Sequence, residues 1–90
     1  MKRVSNLAFN RTCGLRELAH GQPVALCLEP DNPFDRDAVA VCIRGRGVPI
    51  GWLFKKDNNR APVLQKLRSG GDIAARIEQD GGKYHVVFWL

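Results

Sequence analysis

The sequence lacks an apolar segment long enough to cross a membrane. No apolar run approaches the ~20 residues that a membrane helix needs. The basic pair Lys2 and Arg3 is not followed by the apolar stretch of a secretory signal. We therefore expect a chain that has no membrane contact and works in the cytoplasm.

Closely spaced cysteines are also missing. Cys13, Cys27 and Cys42 form an odd set at wide spacings, and the sequence contains no C-x-x-C pair. A disulfide framework would leave one thiol over, and zinc sites usually need close ligand pairs. A metal site that recruits His20 or His85 is disfavoured, because neither lies at ligand spacing from a cysteine. The cysteines are predicted to be small structural residues in a reducing compartment.

Catalytic signatures are a third absence. The sequence has no G-x-S-x-G, no G-x-x-x-x-G-K-[ST] and no suggestive Cys–His pair. Four carboxylates lie close together at Glu29, Asp31, Asp35 and Asp37, but the glycine and the terminal glutamate of a calcium loop are missing. Asp31 and Asp37 are better explained as turn residues that bond nearby amides. We predict a protein that is not an enzyme and that uses no cofactor and no metal.

What is present is a short, basic and moderately apolar chain. Ninety residues, 44% of them hydrophobic, suffice for one domain spanning residues 1–90 with a modest core. The net charge of +5 attracts polyanions such as nucleic acid. A solvated positive surface would explain the same charge, so composition permits nucleic-acid binding without establishing it.

The hydrophobic pattern predicts a mainly β fold. Alternating apolar residues, bounded by glycine, proline and asparagine, indicate six strands. Their predicted ranges are residues 4–9, 23–28, 38–43, 48–53, 73–78 and 84–90. Two short helices are expected, the first between Thr12 and Gly21, the second after Asn59 with Val63, Leu64 and Leu67 on its apolar face. About six strands with two short helices predict a small closed or nearly closed barrel.

The segment from Glu29 to Asp35 stands out, because it combines acid, proline and an aromatic residue. Pro30 and Pro33 stiffen the loop, and Phe34 sits where stacking on a base is as reasonable as plugging the barrel end. A carboxylate at Asp35 repels phosphate. It fits a nucleic-acid site if it accepts a hydrogen bond from a hydroxyl or an amino group.

Four sequence blocks, in order, resemble a HIRAN domain. They are residues 6–11 (NLAFNR), 21–26 (GQPVAL), 29–35 (EPDNPFD) with 38–41 (AVAV), and 50–53 (IGWL). HIRAN modules occur at the N-termini of Swi/Snf-class fork-remodelling helicases and as small stand-alone bacterial and phage proteins. The resemblance implies an OB-like β-barrel that holds single-stranded DNA at a 3′-hydroxyl end, as in DNA repair, with a helicase or nuclease supplied in trans.

The resemblance also implies a set of binding residues. Phe9 and Phe34 would sandwich the terminal base, Asp35 would meet the terminal hydroxyl, and Lys55 would lie on the phosphate side. Trp52 would correspond to the residue that follows the Ile-Gly pair of the family pattern, and Asn32 would brace the loop. The helicase-linked members have an arginine where this chain has Ala8. The complete predicted set is Phe9, Asn10, Arg11, Asn32, Phe34, Asp35, Trp52, Lys55 and Lys56.

Two alternatives stay open. The first is general binding of single-stranded DNA or RNA, in which Phe9, Phe34 and Trp52 stack on bases. The basic residues Arg44, Arg46, Lys55 and Lys56 would then follow the backbone. The second is a protein-interaction barrel that uses an exposed strand edge or the aromatics of residues 84–90. Nucleic-acid affinity falls steeply with salt, whereas an apolar protein interface is far less sensitive to it.

Overall fold

A computed structural model of the chain shows a closed barrel of six antiparallel strands and describes residues 1–12 and 18–90. The strands are β1 (Lys2–Phe9), β2 (Pro23–Leu28), β3 (Val39–Ile43), β4 (Pro49–Leu53), β5 (Ala75–Asp80) and β6 (Lys83–Trp89). One helix, α1 (Arg60–Arg68), lies between β4 and β5. Around the barrel the order is β1-β4-β3-β2-β5-β6. The predicted mainly β fold and the six-stranded barrel are confirmed.

The differences from the predicted elements are local. The predicted first helix between Thr12 and Gly21 is wrong in its described part, because residues 18–21 are not helical. Residues 13–17 lie outside the described residues, so one of the two expected helices is seen in the described part of the chain. The fifth strand begins at Ala75 rather than at residue 73. Ile73 is almost fully buried but precedes the strand, because it fills the core from the segment that leads out of α1. The alternation of apolar residues therefore predicts the burial of Ile73 correctly, but it places the start of the fifth strand two residues too early.

The β2–β3 hairpin shows how the pattern builds the barrel wall. Its register pairs Leu26 with Val41 and Cys27 with Ala40. Successive side chains of a strand point to opposite faces, so Leu26 and Val41 enter the core while Cys27 and Ala40 face outwards. Val41 has no solvent exposure, and such burial stabilises the fold by about 1.5–3 kcal/mol for one aliphatic side chain. The outer face of this hairpin is made of small side chains.

Gly51 allows β1 and β4 to approach closely. It pairs with Phe9 across the β1–β4 ladder, next to the pair formed by Ala8 and Trp52. A Cβ atom at Gly51 would lie 2.5 Å from the carbonyl oxygen of Ala8. Only glycine fits at this position without a backbone shift, which explains why a glycine precedes Trp52.

Helix α1 is fixed to the barrel at its first turn. The Asn59 side chain donates hydrogen bonds to the Val4 carbonyl at 3.1 Å and to the Ser5 hydroxyl at 2.9 Å. Val63 and Leu64 are buried against the core. Pro62 is accommodated because the first helical turn needs no intrahelical donor there. In the part of the chain that the structure describes, no helix has the length and apolar character required to cross a membrane.

Candidate nucleic-acid interface

Asn32 fixes the loop between β2 and β3. Its side-chain oxygen accepts hydrogen bonds from the backbone amides of Phe34 at 2.9 Å and Asp35 at 3.1 Å. Its side-chain nitrogen donates to Glu29 Oε1 at 3.1 Å. This is the local turn chemistry that short polar side chains favour. The loop therefore has a defined shape, and at its tip the Phe34 ring is 90% exposed.

Glu29 connects this loop to β4. The indole nitrogen of Trp52 donates a hydrogen bond to Glu29 Oε1 at 2.6 Å, on the same oxygen that Asn32 reaches. Trp52 is half-buried and pairs with Ala8 and Ala40, so its ring lies on the outer wall of the barrel. Residues 28–34 and Trp52 line an open cleft of about 570 Å³. We call it the Phe34–Trp52 cleft.

Asp35 is held by an arginine from α1. Arg60 Nη2 donates to both Asp35 carboxylate oxygens, at 2.8 and 2.6 Å, and Arg60 Nε donates to the Asp37 carbonyl at 2.8 Å. Arg60 is 8% exposed. The Asp37 amide donates a further hydrogen bond to Asp35 Oδ1 at 3.0 Å. The carboxylate is thus oriented from two sides.

The charge state of Asp35 follows from these contacts. Burial raises the pKa of its carboxyl, but the hydrogen bonds from Arg60 and from the Asp37 amide, together with the charges of Arg60 and Lys55, hold that pKa below its usual value. Asp35 therefore stays an anion, and an ionised carboxylate can only accept hydrogen bonds.

The two predicted lysines lie in the turn after β4. Lys55 lines a cleft together with Asp35 and Arg60, and its charge acts on Asp35. Lys56 is exposed in the same turn. Lys55 is thus near the predicted hydroxyl-binding carboxylate, and Lys56 adds positive charge beside it.

Phe9 lies in a different cleft. Its ring makes an edge-to-face contact with Tyr84, with 6.2 Å between the ring centroids, and it lines a cleft of about 370 Å³ with Phe54 and His85. Phe9 is 37% exposed, much less than Phe34. The structure therefore does not place Phe9 in the cleft that Phe34 shares with Trp52, although the resemblance implies a sandwich of Phe9 and Phe34 around one base.

Asn10 and Arg11 follow Phe9 at the end of β1. The Asn10 side chain donates to the Pro49 carbonyl at 2.9 Å and accepts from the Thr12 amide and hydroxyl at 3.1 and 2.8 Å. These bonds tie the end of β1 to the start of β4. Arg11 is exposed in the turn that follows. Asn10 therefore has a structural role in the unbound protein, and Arg11 supplies surface charge.

In the part of the chain that the structure describes, the carboxylates and thiols form no metal centre. Within residues 1–12 and 18–90, no three His, Cys, Asp or Glu side chains are grouped so that they could hold a metal ion. Asp37 pairs with Arg68 at 2.6 Å instead. Cys27 and Cys42 are free thiols on the outer barrel wall, whereas Cys13 lies outside the described residues.

Two residues of the site escaped the sequence reasoning. From the sequence alone Arg60 has no predicted role, and Glu29 is only a member of the acidic cluster. A signal for Arg60 did exist, because a cation in the first turn of a helix is unfavourable to the helix dipole and implies a compensating anion. Glu29 had no comparable signal, since its partner Trp52 is 23 residues away.

Comparison with models of protein families, with curated proteins and with solved structures gave no significant match to this chain.

Proposed function

We propose that this protein binds single-stranded DNA and holds its 3′-hydroxyl end against the loop between β2 and β3. The observation that carries the proposal is the Phe34 ring, 90% exposed on a loop that Asn32 fixes by three side-chain hydrogen bonds. A large exposed aromatic on a rigid support is what base stacking requires. Stacking of one base on an aromatic side chain contributes roughly 1–3 kcal/mol.

The loop meets the ligand with little ordering cost. Asn32 and Glu29 already hold the backbone and the Trp52 indole in place. A preorganised site loses less conformational entropy on binding than a flexible one. The Phe34–Trp52 cleft therefore offers a ready-made surface for a base, with Trp52 as the second aromatic wall.

Asp35 is suited to accept the terminal hydroxyl. An ionised carboxylate offers about four lone-pair sites. Arg60 occupies one on each oxygen, and the Asp37 amide occupies a second on Oδ1. Oδ2 keeps a site for a donor such as a 3′-hydroxyl. Because Arg60 offsets the negative charge, the paired Asp35 repels the DNA backbone less than an isolated carboxylate would.

Basic groups around the carboxylate complete the proposed site. Lys55 lines the same cleft as Asp35, and Lys56 follows it in the exposed turn. Both would approach phosphates on the ligand. The net charge of +5 favours association with a polyanion at low salt.

The proposal includes an OB-like, HIRAN-type module that acts in DNA repair in the cytoplasm, together with a helicase or nuclease. It is supported by the positions of the four sequence blocks that resemble HIRAN domains. They lie on β1, β2, β3 and β4 and on the β2–β3 loop, and these four strands are neighbours in the barrel. Ala8, Ala40 and Trp52, one from each of three blocks, meet in one row of the sheet.

One observation favours a second candidate function, general binding of single strands without end recognition. Asp35 is already paired with Arg60 in the unbound protein, so the carboxylate has a structural role that needs no hydroxyl. Stacking on Phe34 and phosphate contacts from Lys55 would then account for binding by themselves.

The experiment compares short 5′-fluorescein-labelled oligothymidylates that end in a 3′-hydroxyl or a 3′-phosphate, by fluorescence polarisation over a series of salt concentrations. We expect tighter binding of the hydroxyl end and a steep loss of affinity with salt. Equal affinity for both ends, with the salt dependence retained, would favour the general single-strand function. Salt-independent or absent binding would overturn both.

A pair of variants assigns the end preference to one carboxylate. Asp35→Asn is expected to remove most of the preference for the hydroxyl end. Asp31→Asn is the matched control, because Asp31 is an exposed aspartate of the same loop. If Asp35→Asn instead raised affinity uniformly for both ends, Asp35 would merely repel phosphate.

A further inference from the structure

The outer face of the β2–β3 hairpin carries a second open groove, of about 450 Å³. Its floor is made of the pairs Ala25–Cys42 and Cys27–Ala40, which the hairpin register places side by side. Ala40 is 1% exposed, so the accessible part of the floor is formed by the three partly exposed residues. We call it the hairpin groove. Small side chains on all four positions leave a shallow trough in a wall that larger residues would fill.

The hairpin groove adjoins the Phe34–Trp52 cleft. Leu28 and Glu29 line both. The Glu29 carboxylate at this junction already accepts hydrogen bonds from Trp52 and Asn32, so part of its charge is taken up by fixed donors. A chain that leaves the Phe34–Trp52 cleft past Glu29 therefore enters the hairpin groove.

The far end of the hairpin groove is basic. Arg44 and Arg46 are exposed at the tip of the hairpin and line the groove. Burial, together with the neighbouring Cys27 thiol and the Glu29 charge, raises the pKa of Cys42 to about 11. The Cys42 thiol is thus neutral at pH 7 and adds no negative charge between the basic tip and the aromatic cleft.

We propose that the hairpin groove holds the nucleotides immediately 5′ of the bound end, with sugars over the small-residue floor and phosphates on Arg44 and Arg46. This rests on the proposed function and extends it to the path of the strand. Ala40 pairs with Trp52, and Arg44 lies four residues further along the hairpin, a distance of roughly 13 Å at the ~3.3 Å rise of a strand. That length corresponds to about two to four nucleotides, given ~3.4 Å for a stacked nucleotide and roughly twice that for an extended one.

The test is the dependence of affinity on oligonucleotide length. Oligothymidylates of two to ten nucleotides with a 3′-hydroxyl are titrated against the wild type and the double variant Arg44→Ala/Arg46→Ala. The wild-type affinity should rise with length up to about six nucleotides, consistent with the lower range of ~4–16 for small barrels. The double variant should bind dinucleotides as the wild type does but gain little from added length, and its salt slope should fall by about 1.4 for two lost phosphate contacts.

A charge-matched control is the double variant Lys2→Ala/Arg76→Ala. Both residues are partly exposed, carry the same total charge and do not line the hairpin groove. An equal loss for this control would mean that only net charge matters, and would overturn the proposal. A double variant of Arg44 and Arg46 that weakens short and long strands alike would also overturn it.

A second variant tests the floor itself. Ala25→Glu places a carboxylate on the half-exposed outer face without touching the core. Circular dichroism verifies the fold, and the affinity for long strands should fall while dinucleotide binding persists. Unchanged affinity for long strands in the folded variant would exclude the groove as the path.

Phe34→Ala separates this proposal from the proposed function. One outcome is that Phe34→Ala leaves dinucleotide binding intact, while the Arg44→Ala/Arg46→Ala variant still removes the gain in affinity with oligonucleotide length. That outcome would support the hairpin groove and contradict binding of the 3′ end at Phe34. The other outcome is that Phe34→Ala lowers the affinity for oligonucleotides of every length, while the Arg44→Ala/Arg46→Ala variant binds like the wild type. That outcome would support binding of the 3′ end at Phe34 and contradict the hairpin groove.

Discussion

Asn10 and Asn32 each hold a stretch of backbone beside a phenylalanine, and the two phenylalanines end in different environments. Asn10 joins the end of β1 to the start of β4 through the Pro49 carbonyl, and Phe9 packs edge-on against Tyr84. Among the described residues, the Asn32 side chain bonds within its own loop and to the adjoining Glu29, and Phe34 projects into solvent.

The difference shows that two similar local patterns can serve stability in one place and binding in another. An aromatic ring that finds a partner in its own barrel contributes to the folded state. A ring that a rigid loop keeps away from the barrel does not stabilise the folded state in this way, and its exposed apolar surface lowers solubility. Phe34 is therefore the better candidate for ligand contact, and Phe9 the better candidate for packing.

The largest expected effect separates the two rings directly. Phe34→Ala should weaken DNA binding by about 1–3 kcal/mol, which is roughly five- to 150-fold, with no change in the thermal midpoint. Phe9→Ala should lower the midpoint, because an edge-to-face aromatic pair contributes about 0.5–1.5 kcal/mol beyond its buried area, and should weaken binding less. Polarisation titrations and thermal melts of both variants measure this. The opposite pattern would exchange the roles of the two residues.

Loss of the loop brace is expected to have the next largest effect. Asn32→Ala removes three side-chain hydrogen bonds and frees the backbone at Phe34, so affinity should fall about tenfold, or roughly 1.4 kcal/mol. Asn32→Asp keeps the acceptor for the two amides but loses the donor to Glu29, and should lie between alanine and wild type. Asn10→Ala is the matched variant beside Phe9. It should lower the free energy of unfolding more than it lowers the affinity for DNA. Equal affinities for Asn32→Ala and wild type would show that the loop needs no brace to bind.

The pairing of Asp35 with Arg60 should be visible in how the free energy of unfolding falls at acidic pH. The pKa of Asp35 is lower in the folded protein than its ordinary value of 3.8. The ionised Asp35 carboxylate therefore contributes fully to the free energy of unfolding above pH ~4, and this contribution is lost as the pH falls through the folded pKa. Asp35→Asn should remove this part of the acid destabilisation, while Asp31→Asn should leave it. Urea unfolding between about pH 2 and 7 measures it, and identical acid profiles for Asp35→Asn and wild type would contradict the pairing.

The smallest expected effect concerns the link between Trp52 and Glu29. Trp52→Phe retains an aromatic ring and removes the indole donor. Because the ring is then no longer held by Glu29, the affinity should fall roughly two- to fivefold, or by about 0.5–1 kcal/mol. Trp89→Phe is the matched control, because Trp89 lies in β6 beneath Arg76 and not in the Phe34–Trp52 cleft. Equal losses in the two variants would remove the special role of Trp52.

The barrel could be predicted because its signals are local. Alternation in β2 and β3 assigns Leu26 and Val41 to the core, and glycines mark the turns. The start of β5 could not be predicted, because Ile73 is buried by tertiary packing before the strand begins. The pairing of Asp35 with Arg60 joins residues 25 positions apart, and no periodic pattern specifies such a contact. Phe9 and Phe34 line two different clefts, and only the assembled fold determines which cleft each ring enters.

The central claim is that a single strand stacks in the Phe34–Trp52 cleft. The most direct test is an NMR titration of the ¹⁵N-labelled protein with a six-nucleotide oligothymidylate that carries a 3′-hydroxyl. The indole resonance of Trp52 and the backbone amides of Phe34 and Asp35 should shift together and saturate at one dissociation constant, while the Trp89 indole stays in place. Saturable shifts confined to Trp89 or to the cleft around Phe9 and Tyr84, with the Trp52 indole unmoved, would contradict the account.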